Sequence, residues 1–150
     1  MPLDRYFAQL NRASTERIRR LAKGLTDEQL LLPVGDAWTI AICLAHLAFW
    51  DRRVMYVLEM TQREGKPFVP SIDIFVNDLS RPLWAAIPPR EAARIAIENA
   101  DACDKQLEAF PEPLLEQLYN NRKRDVVRAL HRNEHLDEVD MALQASRPGS

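Results

Sequence analysis

The chain contains three histidines, His46, His131 and His135. The last two form an H-x-x-x-H pair, and residues four apart on a helix are neighbours, so both imidazoles aim at one point. His46 lies inside Trp38-Thr-Ile-Ala-Ile-Cys-Leu-Ala-His46-Leu-Ala-Phe-Trp50, a run without a charged residue. A buried polar group left unpaired costs about 1–3 kcal/mol, so an imidazole there needs a companion. Three neutral nitrogen ligands converging from two helices suit zinc, nickel or ferrous iron, with positions open for water or substrate. Structural zinc sites usually take four protein ligands, so a three-histidine site points toward chemistry. On spacing alone, a hydrogen-bonded core histidine and a solvated histidine pair remain the alternative.

Further candidates share these faces. Trp50 and Arg53 fall on the side of the helix that carries His46. Trp50 either lines a pocket or packs as a core indole. Arg53 either receives an anionic group or lays its stem along the bundle. Glu138 and Glu134 lie near the His131/His135 face. Glu138 can be an extra ligand or a hydrogen-bond acceptor behind one, whereas Glu134 reads as a solvated carboxylate.

Several chemistries are excluded by what the pattern lacks. A carboxylate-bridged di-iron bundle needs Glu-x-x-His on paired helices, and Cys43, Arg128 and Arg132 occupy the positions three before the histidines. Arg132 follows His131, which rules out the zinc-protease motif H-E-x-x-H. No phosphate-binding loop, dinucleotide fingerprint or nucleophile elbow occurs. Cys43 and Cys103 sit in apolar helical patterns and read as buried thiols.

The elements that must position these residues are helical. Leu3, Phe7, Leu10, Ser14, Ile18 and Leu21 recur at helical spacing and predict a first helix ending near Gly24. Its Arg12, Arg17, Arg19 and Arg20 read as a solvated face. Thr26-Asp-Glu-Gln29 reads as a capping box. Asp36 is placed to cap the His46 helix, which continues to about Gln62. Gly65, Pro67 and Pro70 make the following stretch a loop. Asp73 to Asn77 reads as the start of a third helix, interrupted at Pro88 and Pro89. Its second part carries Ala93, Ala96, Ala100, Cys103, Leu107 and Phe110 on one stripe. After Pro111 and Pro113, Asn121 leads into a final helix running to about Ala145. Four such helices predict an all-α four-helix bundle, a single domain over residues 1–150.

Composition agrees with a globular chain of 150 residues, 47% hydrophobic and 28% charged. The net charge of −2 gives no reason to expect nucleic acid or an anionic membrane as partner. The apolar run is shorter than the about 20 residues a bilayer crossing needs. No basic segment followed by an apolar one opens the chain, so a cytoplasmic location is the expectation. Ile40, Leu44, Leu47 and Ala48 stay apolar away from the His46 centre line. That surplus predicts cover by a second copy, a homodimer about a two-fold axis.

Leu25-Thr-Asp-Glu-Gln29, Trp38-Thr-Ile40 with His46-Leu-Ala-Phe-Trp50, Asp73-Ile-Phe-Val-Asn77 and His131-Arg-Asn-Glu-His135-Leu-Asp-Glu-Val139, in this order across nearly the whole chain, resemble the DinB-like superfamily. The resemblance implies a four-helix bundle, often dimeric, with a divalent metal held by His46, His131 and His135. Zinc or nickel is the expected ion, with iron as an alternative. Members include transferases and isomerases that use bacillithiol or mycothiol, hydrolases, and colibactin-type self-resistance proteins that work without the triad. Two positions depart from the family's His-Asp-x-x-His-x-x-Gln pattern, with Arg132 in place of the aspartate and Glu138 in place of the glutamine. The implied function is a metal-dependent enzyme acting on a small electrophile, either by transfer of a low-molecular-weight thiol or by hydrolysis. The alternative is a non-catalytic bundle that binds or sequesters a metal or small molecule.

Overall fold

A computed structural model describes residues 3–148. Helix α1 (Tyr6–Gly24) is followed by a single turn, α2 (Asp27–Leu30), and a two-stranded ribbon, β1 (Pro33–Val34) and β2 (Trp38–Thr39). Then come α3 (Ile40–Glu64), α4 (Val76–Ala85), α5 (Pro89–Ala109), α6 (Glu112–Asn121), α7 (Lys123–Val126) and α8 (Ala129–Ala145). The bundle consists of α1, α3, α5 and α8, with α5 packed between α1 and α3, and α8 closing the ring against the same two helices. The fold is a four-helix bundle, as the sequence predicts.

Local signals explain most boundaries. Thr26 and Gln29 form the reciprocal capping box, at 2.9 and 3.1 Å. Gly65 ends α3 in the left-handed conformation (φ 70°), which glycine adopts without a Cβ clash. The N-cap of α3 is Thr39, whose hydroxyl accepts from the Ile42 amide at 3.1 Å. Asp36 does not cap it. Asp36 and Gly35 (φ 66°) turn the ribbon that pairs Val34 with Trp38, and that pairing moves the helix start three residues onward.

One other expectation is corrected. Asp73 to Asn77 enter the third helix through a turn at residues 74–75, with α4 beginning at Val76. The connection after Pro111 folds as α6, and the helix expected from Asn121 to about Ala145 is broken into α7 and α8. Pro111 and Pro113 open α6, because proline suits the first turn of a helix, where its missing amide costs nothing. The chain then breaks at Arg122 and again at Val127 before α8.

The core has two apolar clusters, one around Ile18, Ile40, Leu44, Ala96 and Leu136, the other around Phe7, Val54, Leu107, Leu115 and Val126. Alanines 92, 93, 96 and 100 of α5 are buried and let α3 approach closely. Ile40, Leu44, Leu47 and Ala48 are all buried within the chain. The neighbouring helices therefore account for the apolar surplus that pointed to a second copy.

A buried polar layer lies between the clusters. Arg132 of α8, with 0% exposure, donates through Nε to Asp51 of α3 at 3.1 Å and through Nη1 to Asp104 of α5 at 2.9 Å. The same Nη1 meets Ser14 and Thr15 of α1 at 3.1 and 3.0 Å. Thr15 also donates to Asp104. All four bundle helices thus meet at one guanidinium. Burial alone would lower the Arg132 pKa, but Asp51 and Asp104 more than offset it and the net shift is upward. At the surface, Arg12 reaches Asp101 and Glu108 of α5, and Arg17 reaches Asn133, Asp137 and Asp140 of α8. Those two arginines clasp neighbouring helices instead of standing free in solvent. No helix among the described residues is long and apolar enough to cross a membrane.

Candidate metal centre

His46 projects inward from α3, and His131 and His135 lie one turn apart on α8. Nε2 of His46 is 3.1 Å from Nε2 of His131 and 3.1 Å from Nε2 of His135. One ligand nitrogen from each ring lies within 4.8 Å of the other two, a group that can hold a metal ion. Two nitrogens each about 2.0–2.1 Å from one ion, bound at adjacent positions, are separated by about 3 Å, so the two spacings from His46 fit. A neutral ring nitrogen carries either one proton or one lone pair, so a single good hydrogen bond serves only one of the two contacts made by His46. A cation between the rings serves all three.

The rings are neutral at physiological pH, the form that ligates. Burial pushes His46 down to about 3, helped by His135 and Arg128, with Asn77 the group pulling the other way. Burial also drives His131 far down, with Arg128 adding to it. For His135 burial again lowers the value, while Glu138 and Glu134 oppose it.

Behind the rings the support is uneven. A histidine bound through Nε2 carries its proton on Nδ1 and ordinarily donates it to a carboxylate or carbonyl. His135 has such an acceptor, since its Nδ1 is 3.2 Å from Glu138 Oε1. Nδ1 of His131 instead faces a donor, Arg128 Nη2, at 3.3 Å. Nδ1 of His46 is buried without an aligned hydrogen bond. The three nitrogens fit a divalent ion, and the surroundings support one ligand of the three.

A cavity of about 220 Å³ opens beside these rings. Trp38, Trp50, Val54, Ile72 and Ile74 make its apolar side. Arg122, Arg124, Asp125 and Arg128 make its charged side. Asn77 is held across it by the Trp50 indole N–H at 2.9 Å. The Trp38 indole lies parallel to the His135 ring, with centroids 6.4 Å apart, and meets His46 edge-on at 5.0 Å.

A model of the DinB superfamily matches residues 10–147. The chain belongs to the DinB superfamily. No curated protein and no solved structure gives a significant match.

In this DinB-superfamily chain the candidate pocket residues lie in three different settings. Trp50 lines the cavity. Arg53 does not line it: its guanidinium lies over the Trp50 ring at 5.6 Å, donates to the Pro70 carbonyl at 3.3 Å and stands 3.8 Å from Asp125. Glu138 stands on the far side of His135 from the cavity, with Cys43 and the β1–β2 turn. Glu134 pairs with Arg124 at 2.6 Å. Arg132, at the position of the family's aspartate, serves the buried polar layer and does not reach the cavity. Cys43 and Cys103 are buried, and burial pushes both thiols up to about 12, far from a nucleophilic thiolate.

The charged wall was not singled out from the sequence. Arg128 carried a signal, three positions before His131, but Arg122, Arg124 and Asp125 reach the cavity only because the chain breaks around α7. Ile72, Ile74 and Asn77 lie in the α3–α4 connection or at the start of α4, where no periodicity points them inward.

Proposed function

We propose that this protein is a metal-dependent enzyme that transfers a small thiol to a small electrophile. Its cofactor is a divalent ion, zinc or nickel, held by His46, His131 and His135. When bound, the ion supplies Lewis acidity, which polarises an electrophile or lowers the pKa of a thiol or water. The chain's own residues do the rest. The imidazoles stay neutral through burial, Glu138 orients His135, and the indoles of Trp38 and Trp50 with Ile72 keep water away from the rings.

One observation favours thiol transfer over hydrolysis. Asp125 is the only carboxylate lining the cavity among the described residues, and two arginines face it. Among the described residues, no carboxylate lining the cavity is free to take a proton from water. A thiol, with an ordinary pKa of about 8.5, needs far less help to ionise than water at about 15.7.

The test is protein prepared without a histidine tag, loaded with zinc or nickel, and assayed with bacillithiol, mycothiol or cysteine against an activated aryl halide. Turnover should require both metal and thiol and should vanish in His131→Ala. Release of the halide without thiol would move the reading to hydrolysis. Tight metal uptake with no turnover would leave a metal-binding bundle, a reading favoured by the weak support behind His46 and His131.

A further inference from the structure

Among the described residues, positive charge around the cavity exceeds what the neighbouring carboxylates balance. Asp125 Oδ1 faces two guanidiniums at once, Arg122 Nε at 3.1 Å and Arg53 Nη1 at 3.8 Å. Both nitrogens are shielded from water, and neither has an aligned hydrogen bond. Arg124 is answered by Glu134 at 2.6 Å and Arg128 by Asp51 at 2.8 Å. Four guanidiniums therefore meet three carboxylates in and behind this wall. Arg132, which shares Asp51, has Asp104 as its own counter-charge at 2.9 Å. Burial holds the Arg53 pKa below that of an ordinary arginine, with Asp125 pulling the other way.

The surplus is reachable through Arg122, beside which Arg124 brings a second guanidinium already answered by Glu134. The Arg122 and Arg124 side chains are 38% and 42% exposed, and both line the cavity together with Trp38, Trp50, Ile72 and Ile74. At about 220 Å³, the space is smaller than the about 300–1,000 Å³ typical of pockets for drug-sized ligands. The lining suits a small occupant that combines an apolar body with an anionic group.

We propose that the cavity takes a small organic acid, a carboxylate on an apolar body, with Arg122 and Arg124 receiving the carboxylate and the indole side holding the body against the three histidines. This rests on the reading above that the cavity is the substrate site. The guanidinium fork matches the two oxygens of a carboxylate. An acid supplies the missing negative charge, whereas its neutral analogue leaves the arginine N–H groups unserved. The carboxylate belongs to the electrophile or to the thiol, and the recognition chemistry is the same for both.

Trp38 and Trp50 provide a readout independent of turnover, since an occupant changes their fluorescence. Two matched pairs are titrated into zinc-loaded and metal-free protein: 3-phenylpropionate with 3-phenylpropionamide, and 3-mercaptopropionate with 3-mercaptopropionamide. An acid on the electrophile gives the first pair an anion preference of about tenfold or more; an acid on the thiol gives it to the second. Arg122→Met and Arg124→Met each cut that preference several-fold, and Arg124→Lys, which keeps charge without the fork, falls between. Arg94→Met, on α5 outside the wall, leaves it intact. In the wild type, sodium chloride weakens the acids and not the neutral partners. Absence of preference in both pairs overturns the proposal. So does a preference that survives both methionine variants, which shows a carboxylate bound elsewhere or to the metal alone. An anion preference without metal-dependent turnover leaves this proposal standing and removes the enzymatic reading.

Discussion

Arg128 points Nη2 at Nδ1 of His131 across 3.3 Å while its Nε is held by Asp51 at 2.8 Å. A guanidinium has donors and no acceptor, so the contact is a hydrogen bond only when His131 carries its proton on Nε2. Metal binding through Nε2 moves that proton to Nδ1, where it meets a donor and a positive charge. Arg128→Gln should therefore raise zinc affinity by about tenfold, because outer partners tune metal sites by about 10–100-fold. Competition with a chelating dye measures it. Unchanged affinity would mean that the guanidinium swings clear when metal binds.

Glu138 is expected to act in the opposite direction. Its Oε1 stands 3.2 Å from His135 Nδ1, placed to take that proton when the ring binds metal, and removing such a partner costs about 10–100-fold in affinity. Glu138→Ala should weaken zinc binding by that factor, with little change in folding stability because the side chain is half exposed. Glu138→Gln keeps an acceptor and should retain most of the affinity. An alanine variant that binds zinc like the wild type would assign Glu138 to the surface alone.

Acid should destabilise the metal-free protein in a defined window. His46 is held down to about 3 by burial, against about 6.5 in an unfolded chain. Below about 6.5 the unfolded state takes up a proton that the folded state refuses, so stability falls as pH drops from there toward about 3 and is flat above. His46 alone contributes up to about 1.4 kcal/mol per pH unit within that window. His131 and His135 shift the same way and steepen the slope. Zinc steepens it further, because protons compete with the ion. Urea denaturation at several pH values tests this, and a flat profile down to about pH 5 would contradict neutral buried rings.

Arg132→Leu should be among the most damaging substitutions in the chain. It strips Asp51 and Asp104 of a shared partner at 0% exposure, and breaking a buried pair typically costs about 3–5 kcal/mol. At about 2–4 °C per kcal/mol for a domain of this size, the melting temperature drops by roughly 6–20 °C. Calorimetry checks the figure. A loss below about 1 kcal/mol would mean that water enters and solvates the two acids.

Leu44→Glu and Leu47→Glu bear on assembly. Both leucines are buried in the bundle, at 0% and 1% exposure, so a carboxylate at either position should unfold the chain. Circular dichroism with light scattering would show lost helix. A well-folded monomer from these variants would instead indicate that the face lies between two copies.

Helical periodicity determined the bundle and the pairing of His131 with His135, whereas the place of His46 beside them came from the resemblance to the DinB-like superfamily. Positions three and four apart share a face, so His131 and His135 were paired by spacing, and the apolar run demanded a partner for His46. The capping box at Thr26 and the left-handed end at Gly65 are equally local. The α3 cap was missed because the ribbon pairing Val34 with Trp38 moves the helix start from Asp36 to Thr39. Apolar periodicity also gave no view of the polar layer. Ser14 fell on the stripe of the first helix, but Asn11, Thr15, Asp51 and Asp104 face inward only because Arg132 reaches them from another helix. The cavity's charge was hidden for the same reason: the breaks around α7 swing Arg122, Arg124 and Asp125 to the histidines. Periodicity assigns a side chain to a face; only packing decides which buried charges meet, since each is tolerated inside by a partner distant in the chain.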